Sequence, residues 1–511
     1  MSHIYLTREF ELVQEATSYI GLASHAVGYT ERVVVIGAGI SGLACAHRLK
    51  QLGLRPRVLE ATERPGGKIA TVRKDGFLFE TGPQFPRFPS HVWQLVRDLN
   101  LGGEFVAGDP KAKRYIFRND RLHLAPFSPG GLITTQLVGL KSKLRILAEP
   151  FGYSRPPDQE ESLAEFVQRK FGEEILENLV DPIVSTVFLS DARRMGMESA
   201  FPALVEWERS QGSLVRGALR ARRSKQDNSK PAGPSQPPAP RKDANGEILR
   251  VTDSLPTLGS FRSGMATLPE RLAERLQGEI TYKVCVESVS RSQESAGTSK
   301  PAWQIRLSSG EQITAQYLVL AVPAHVAVKL LETSAPQLAS QLKDIEYAPI
   351  CVVSSAYERS KVANRLDGFG FMVPRREGLN TICTFWNSSL FAGRAPERAV
   401  LITSFAAGEA IGKLGPATDE ECVRTVEAEN ARILGISGEA MTRVVSRDPH
   451  ALPQYKVGHA ARVADIYRIL RGLPNLYLAG NFLKGRSIGD CVEIGSRAAE
   501  DLHSQFERQD I

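Results

Sequence analysis

Arg32-Val33-Val34-Val35-Ile36-Gly37-Ala38-Gly39-Ile40-Ser41-Gly42 is followed, eighteen residues after Gly42, by Glu60, which closes a second extended run, Pro56-Arg57-Val58-Leu59-Glu60. The order reads as a strand, a glycine turn, a helix and a second strand. Arg32 to Ile36 is apolar and β-branched, and Ser41 to Leu52 carries apolar residues at helical spacing. Gly37, Gly39 and Gly42 let the backbone approach a pyrophosphate, and the free N–H groups at Ile40 and Ser41, with the helix dipole, are placed to hold it. Glu60, with Ala61 behind it, is placed to accept hydrogen bonds from a ribose. A lone G-x-G-x-x-G is weak evidence, but this one sits in its full strand-turn-helix-strand-acid setting. A dinucleotide is expected here.

The segments downstream of Glu60 decide which dinucleotide. Arg64-Pro65-Gly66-Gly67-Lys68 comes straight after Glu60, then Gly76-Phe77-Leu78-Phe79-Glu80-Thr81-Gly82-Pro83. The far C-terminus returns with Leu476-Tyr477-Leu478-Ala479-Gly480-Asn481, a second glycine turn from Gly485 to Gly489, and a helix from about Asp490 to Leu502. A nicotinamide enzyme has no need of that return. A flavin does, because a helix N-terminus at its pyrimidine edge stabilises the negative charge of the reduced ring. Both ends of the chain resemble the flavin amine oxidase superfamily, which includes monoamine oxidases, phytoene desaturases and protoporphyrinogen oxidases. The resemblance implies an FAD-dependent oxidoreductase, with the cofactor held non-covalently.

The chain has 511 residues, enough for two or three domains and a large core. Hydrophobic content of 42% and charged content of 24% are those of a globular protein. Its six cysteines are scattered, with no C-x-x-C, and the nine histidines show no ligand clustering. They read as reduced thiols, with neither disulfides nor metal. A net charge of +7 fits a solvated basic surface or affinity for anionic lipid, and no nucleic-acid partner is expected. No window holds about 18 uninterrupted apolar residues, so no membrane span is expected. Residues 1–30 mix acids with Arg8 and lack a secretory apolar core, so they read as an N-terminal extension of a cytoplasmic protein.

The expected fold is α/β. A discontinuous Rossmann-like FAD-binding domain takes 31–85, 258–325 and 470–508, and a mixed-sheet substrate-binding domain takes 326–455. A helical, membrane-facing domain takes 90–223, interrupted by a hairpin over 111–124. Asn119-Asp120 supply the hairpin's positive-φ turn. Ser162-Leu163-Ala164-Glu165 is a capping box opening a helix that carries Phe166, Val167, Leu176 and Leu179. Residues 224–245 are rich in Pro, Ser, Gln and Lys, lack large apolar residues, and read as a disordered loop. Runs over 350–357, 381–386 and 400–405 read as strands of a sheet roofing a cavity over the flavin.

The middle of the chain narrows the resemblance to the protoporphyrinogen oxidases. It rests on Lys113-Arg114-Tyr115-Ile116, Asp181-Pro182-Ile183-Val184, Glu208 to Leu219, Phe261 to Leu268, Leu452 to His459 and Gly489-Asp490-Cys491-Val492, in the family's order over about residues 31 to 506. What it implies is oxidation of a porphyrinogen, with O2 as acceptor, in three two-electron steps. Arg114 and Arg87 are the implied partners of a propionate, which a guanidinium can grip through two hydrogen bonds. Gln84 is the implied catalytic polar group beside the flavin ring, where it or water would take the proton that a pyrrole N–H loses after hydride leaves. Flavin contacts carried over are Gly37, Gly39, Ile40, Ser41, Gly42, Glu60, Ala61, Gly67, Lys68, Thr81, Gly82, Pro83, Val286, Gly480, Arg486, Ser487 and Ile488. Tyr455 reads equally as a flavin contact and as a structural residue.

Two departures stand out. Ser185-Thr186-Val187-Phe188-Leu189-Ser190-Asp191 replaces the small glycines usual after Asp-Pro-x-Val, and Arg486 replaces a small apolar residue near the flavin. A cation there would raise the flavin potential if buried and do nothing if solvated. Coproporphyrinogen III oxidation by the same chemistry is the nearest alternative. An amine oxidase would need an aromatic pair, and only Phe482 stands in the C-terminal segment; a desaturase would need an apolar tunnel. A non-enzymatic FAD-bound carrier rests on the altered 185–191 segment alone. Phe127, Leu132, Ile133, Leu137, Val138 and Leu140, ahead of Lys141, Lys143 and Arg145, suit a peripheral membrane segment, a homodimer contact or core alike.

Overall fold

Val33, Val34 and Val35 are fully buried, which explains why the first strand, Tyr29–Ile36, is apolar through its second half rather than at alternate positions. Val33 and Val35 face one core and Val34 and Ile36 another, so the strand is covered on both sides, as parallel strands under helices are. It lies between Pro56–Leu59 and Gln312–Leu320, parallel to both. Ile280–Thr281 adds a parallel strand beyond Pro56–Leu59, and Leu476–Leu478 pairs with the far half of Gln312–Leu320. The near half turns into an antiparallel arm of Ala302–Leu307 and Val286–Ser292. One face of this sheet carries the helices Ile40–Gln51 and Ile488–Gln509. The other carries Ala324–Leu331 and Pro336–Lys343, a pair that the sequence alone groups with the substrate sheet.

The computed structural model of the chain describes residues 29–109, 111–152, 158–228, 257–292, 302–407 and 418–509. Residues 1–28 of the N-terminal extension and most of the Pro-rich stretch lie outside them, whereas Tyr29 and Thr30, read as extension, already belong to the first strand. Residues 224–228 are the end of the helix Leu214–Asn228, so the expected loop begins as helix. Nothing in 224–228 breaks a helix, and the first proline comes at Pro231.

The second sheet runs Thr442–Pro453, Tyr347–Glu358, Ala399–Ala407, Thr381–Phe385, Gly368–Met372, Lys113–Arg118 and Arg121–Leu124. It is antiparallel except where Gly368–Met372 meets Lys113–Arg118. The hairpin turns at Asn119 and Asp120, both at positive φ. In space it is the outer edge of this sheet, although the sequence places it inside the helical region.

That region is built of short helices because its backbone is punctuated. The capping box forms: Ser162 Oγ accepts from the Glu165 N–H at 3.2 Å, and the Glu165 carboxylate accepts from the Ser162 N–H at 2.8 Å. The helix expected to run from it through Leu179 instead ends at Lys170, because Gly172 adopts φ 94°. Leu176 and Leu179 belong to a wide turn, Leu176–Val180, that feeds the helix Asp181–Phe188. Pro182 near its start has no N–H for regular helix bonding.

A buried ion pair ties the ribbon strand Phe77–Glu80 to the loop before Ala399–Ala407 and to the short strand Thr257–Phe261. Arg394 and Glu80 are both 2% exposed, 3.4 Å apart, and Arg394 also donates to Ser260 Oγ and the Phe261 carbonyl. Arg394→Met would strand a buried carboxylate, so thermal unfolding should show a loss of about 3 kcal/mol or more.

Candidate FAD and substrate site

Each fingerprint glycine has a separate steric reason. Gly37 sits at φ 104° with its N–H on the Leu59 carbonyl, and a methyl there would meet the Ala321 carbonyl oxygen at 2.7 Å. A methyl on Gly42 would lie 1.9 Å from the Gly37 oxygen. Gly39 is different: a Cβ built there meets nothing within 4 Å. Its backbone is ordinary, at φ −66°, and no side chain caps the helix that starts beside it at Ile40. The open face at Gly39 and the N–H groups of Ile40 and Ser41, which no side chain caps, leave a polar cradle suited to a pyrophosphate.

Glu60 closes the cradle. Its carboxylate accepts from the Ala38 N–H at 2.7 Å and from the Thr62 N–H at 2.9 Å, which fixes it beside the turn. Ala61 is exposed next to it. The Val284 N–H bonds the Glu60 carbonyl at 2.9 Å, bringing the strand start at Val286 to the same place. Gly66 donates to the Ala38 carbonyl and bridges Gly39, and a Cβ on Gly67 would lie 3.3 Å from the Gly39 Cα. The two glycine turns therefore form one surface. Lys68 reaches to the second sheet, pairing with Asp448 at 2.5 Å and with the His450 carbonyl. The Thr81 N–H bonds the Ala70 carbonyl, and a Cβ on Gly82 would meet the Lys68 oxygen at 2.0 Å, so Thr81, Gly82 and Pro83 run close beside that segment.

The C-terminal return packs against the same end of the sheet. A Cβ on Gly495 would lie 2.1 Å from the Ser41 carbonyl oxygen, so the helix Ile488–Gln509 runs tightly on Ile40–Gln51 near its start. The Ala479 N–H bonds the Leu320 carbonyl, placing Gly480 at the strand ends. Ser487 and Asp490 cap the last helix reciprocally: Asp490 Oδ2 accepts from the Ser487 N–H at 2.9 Å, and Ser487 Oγ accepts from the Asp490 N–H at 3.1 Å. Ile488 is buried in the core under it.

Three side chains carry the implied substrate chemistry. Arg114 lies on the hairpin strand with its guanidinium 4.3 Å from the Phe369 ring centroid and 5.5 Å from that of Phe127. Among the described residues its hydrogen bonding amounts to a long 3.5 Å approach to the Ala112 carbonyl. Burial, then the charge of Arg87, lower its pKa, so the two arginines named from sequence stand near one another. Arg87 is exposed on the short strand Arg87–Phe88. Beside them, Phe85 packs edge-on against Phe369 at 4.8 Å and Phe385 at 5.1 Å. Gln84 is buried and fully bonded. Its amide nitrogen donates to the Glu80 and Gly82 carbonyls, both at 3.0 Å, and its oxygen accepts from Asn387 Nδ2 at 2.8 Å. Such a side chain positions the turn it sits in, and its oxygen, the atom that would receive a proton, already accepts from Asn387.

Tyr455 is buried, with its hydroxyl 3.0 Å from the Gly485 carbonyl oxygen and bonded to that of Asn481. It holds the glycine turn, so the structural reading of this residue is the one the contacts support. His325 and His450 form a pair that sequence inspection misses. Their rings stack at 4.0 Å beside Lys68, and burial, with His450 and Lys68 alongside, pushes His325 down to about 4. No sequence signal joins them, since they come from a helix start and an edge strand 125 residues apart. All six cysteines are free thiols.

A helix-capped glycine turn, an acid at the second strand and a returning C-terminal helix define an FAD-dependent oxidoreductase. The chain belongs to the flavin-containing amine oxidoreductase family, whose model matches residues 40–503. It is 31% identical over 496 residues to the mitochondrial protoporphyrinogen oxidase of Nicotiana tabacum, covering 93% of this chain and 95% of that one. It is 26% identical to the coproporphyrinogen III oxidase of Bacillus subtilis (strain 168), covering 92% and 97%. A crystal structure from Exiguobacterium sp. 255-15, bearing a provisional protoporphyrinogen oxidase designation, shares the fold at TM-score 0.75 and 24% identity, covering 93% and 99%.

Proposed function

We propose that this enzyme oxidises protoporphyrinogen IX to protoporphyrin IX with O2 as acceptor. Three two-electron oxidations would remove six hydrogens and form three H2O2. The observation that carries the reading is Arg114, half-buried on Phe369, near Arg87 and without a close ion pair among the described residues, the Asp109 carboxylate acting on it only at longer range. A macrocycle needs apolar walls, and its propionates need cations. The Phe85, Phe369 and Phe385 cluster beside Arg114 offers both.

The turns at Gly37, Gly39 and Gly42, with Glu60 and the C-terminal turn from Gly480 to Ile488, would hold FAD, which would supply the two-electron acceptor. This chain's own residues bind and orient. Arg114, with Arg87 near it, fixes the propionate edge. Gln84, clamped to Glu80, Gly82 and Asn387, holds the Thr81-Gly82-Pro83 turn. No side chain is required as a general base, because a pyrrole N–H can lose its proton to solvent once hydride has left the adjacent methylene bridge.

Coproporphyrinogen III is the second reading, since two neighbouring arginines can serve two carboxylates. Aerobic turnover of FAD-loaded protein with both porphyrinogens, followed by porphyrin fluorescence, separates them. Faster appearance of protoporphyrin supports the first reading, and preference for the tetracarboxylate moves the enzyme to the second.

The same reading includes contact with a bilayer surface. No helix among the described residues is long and apolar enough to cross a membrane. Leu137 and Val138, counted in the apolar stretch from sequence, are core. Yet Phe127, Ile133, Leu140, Leu144 and Phe151 are exposed around Lys141 and Lys143, with Leu140 at 73% and Phe151 at 89%. An apolar side chain buried in the interface contributes about 1.5–3 kcal/mol. The chain should therefore co-float with vesicles containing anionic lipid, and the triple change Leu140→Gln, Leu144→Gln, Phe151→Gln should abolish flotation. A variant that floats like the parent would remove this patch from the reading.

A further inference from the structure

The two places where the sequence departs from its family pattern touch one another. Arg486, from the C-terminal glycine turn, has its guanidinium carbon 4.1 Å from the ring centroid of Phe188, the bulky residue of the altered 185–191 segment. On its other side the Tyr455 ring centroid lies 4.4 Å away, and His459 stacks on Tyr455 at 4.2 Å and 10°. The order Phe188, Arg486, Tyr455, His459 is thus a single stack joining the helical region, the C-terminal turn and the end of the second sheet. A guanidinium between two aromatic faces is held in place without being neutralised.

Arg486 Nη1 is buried and donates to nothing among the described residues. The nearest acid, Asp490, has its carboxylate engaged by the Ser487 N–H and hydroxyl. Burial lowers the guanidinium to about 10, with Tyr455 and Asp490 opposing, so Arg486 remains charged near neutral pH. A half-buried cation whose Nη1 is buried and unpaired among the described residues is costly, and such groups concentrate where an anion is bound or develops. Arg486 lies two residues before the helix Ile488–Gln509, which packs on the start of the fingerprint helix. It therefore stands at the end of the fold where the cofactor cradle opens.

We propose that Arg486 presents its fixed positive charge to the flavin ring and stabilises the negative charge the ring carries after accepting hydride. This rests on the seating of FAD proposed above. The balance is simple. Hydride brings one proton and two electrons, so the ring gains one negative charge, and the porphyrinogen, left one positive, returns to neutrality by losing a pyrrole N–H proton to solvent. Phe188 then has a reason to be large: it closes the stack that keeps Arg486 out of water.

Sulfite tests this without turnover, because it adds reversibly to oxidised flavin and leaves the ring with a negative charge. Sulfite titrations in the visible band, with FAD in excess, would compare the parent chain with Arg486→Met and Arg486→Lys. Arg486→Met should bind FAD and weaken sulfite binding roughly tenfold or more, as loss of a close, partly desolvated charge requires. Arg486→Lys, which keeps the charge, should recover most of that loss. Equal sulfite affinity in FAD-loaded Arg486→Met and parent would overturn the inference alone. A parent chain that takes up no FAD would overturn the cofactor reading and the inference with it.

Discussion

Arg114→Ala should raise KM for the porphyrinogen and lower kcat/KM by roughly 10–150-fold, with FAD content and folding unchanged. A charge-assisted hydrogen-bond pair contributes about 1.5–3 kcal/mol, which sets that range. The fold should survive because the Arg114 head group makes no close ion pair among the described residues: its contacts there are aromatic faces and one long approach to a carbonyl, and Asp109 acts on it only at longer range. That separates it from Arg394, whose removal strands Glu80. Arg114→Lys should recover part of the loss, since an ammonium keeps the charge but not the paired geometry or the stacking on Phe369. Steady-state kinetics on both variants, beside their FAD absorbance and Tm, would check the claim. A fall in kcat alone, with KM unmoved, would mean that Arg114 does not bind substrate.

Gly39→Asp should give a folded protein that no longer holds FAD. The Gly39 backbone is in a region any residue adopts, and a Cβ there meets no atom within 4 Å, so the fold has room for the change. The cofactor does not. A carboxylate about 4 Å from a phosphate charge costs about 4 kcal/mol at the effective dielectric of a protein surface. FAD affinity should therefore fall by two to three orders of magnitude, while the Tm of the apoprotein stays within a few degrees. Gly42 supplies the control. A methyl there collides with the Gly37 oxygen at 1.9 Å, so Gly42→Val should lower the apoprotein Tm as well as FAD binding. If Gly39→Asp bound FAD like the parent, the pyrophosphate would not lie on this turn.

The first strand, its turn and its helix are legible because their physics is local. An apolar β-branched run, a set of glycines each with a steric reason, and an acid at fixed spacing leave little choice. The capping box at Ser162 and the Asn119-Asp120 turn are legible for the same cause. Long-range placement is not. Nothing in Lys113 to Leu124 says that it will pair with Gly368–Met372 rather than with its helical neighbours. Thr442–Pro453 escapes notice because it is an edge strand, where Arg443, Arg447 and Asp448 break the apolar pattern. Pro449 is tolerated there beside an irregularity in pairing, as edge strands allow.

The site divides in the same way. Its cofactor cradle follows from motif and local geometry, and Arg114 with Arg87 from resemblance. Whether a named side chain is free to act depends on partners distant in sequence. Gln84 is clamped by Asn387, 303 residues away, which no reading of its neighbourhood reveals. For Arg486, sequence leaves open a solvated or a buried cation, and the rings of Phe188 and Tyr455 leave it half-buried.

The most direct test of the central claim is anaerobic mixing of the FAD-loaded chain with protoporphyrinogen IX in a stopped-flow spectrometer. The visible flavin band should bleach as hydride is transferred, and admitting O2 should restore it as porphyrin fluorescence grows. A flavin that stays oxidised with protoporphyrinogen IX and with coproporphyrinogen III, yet bleaches with a primary amine, would contradict that claim.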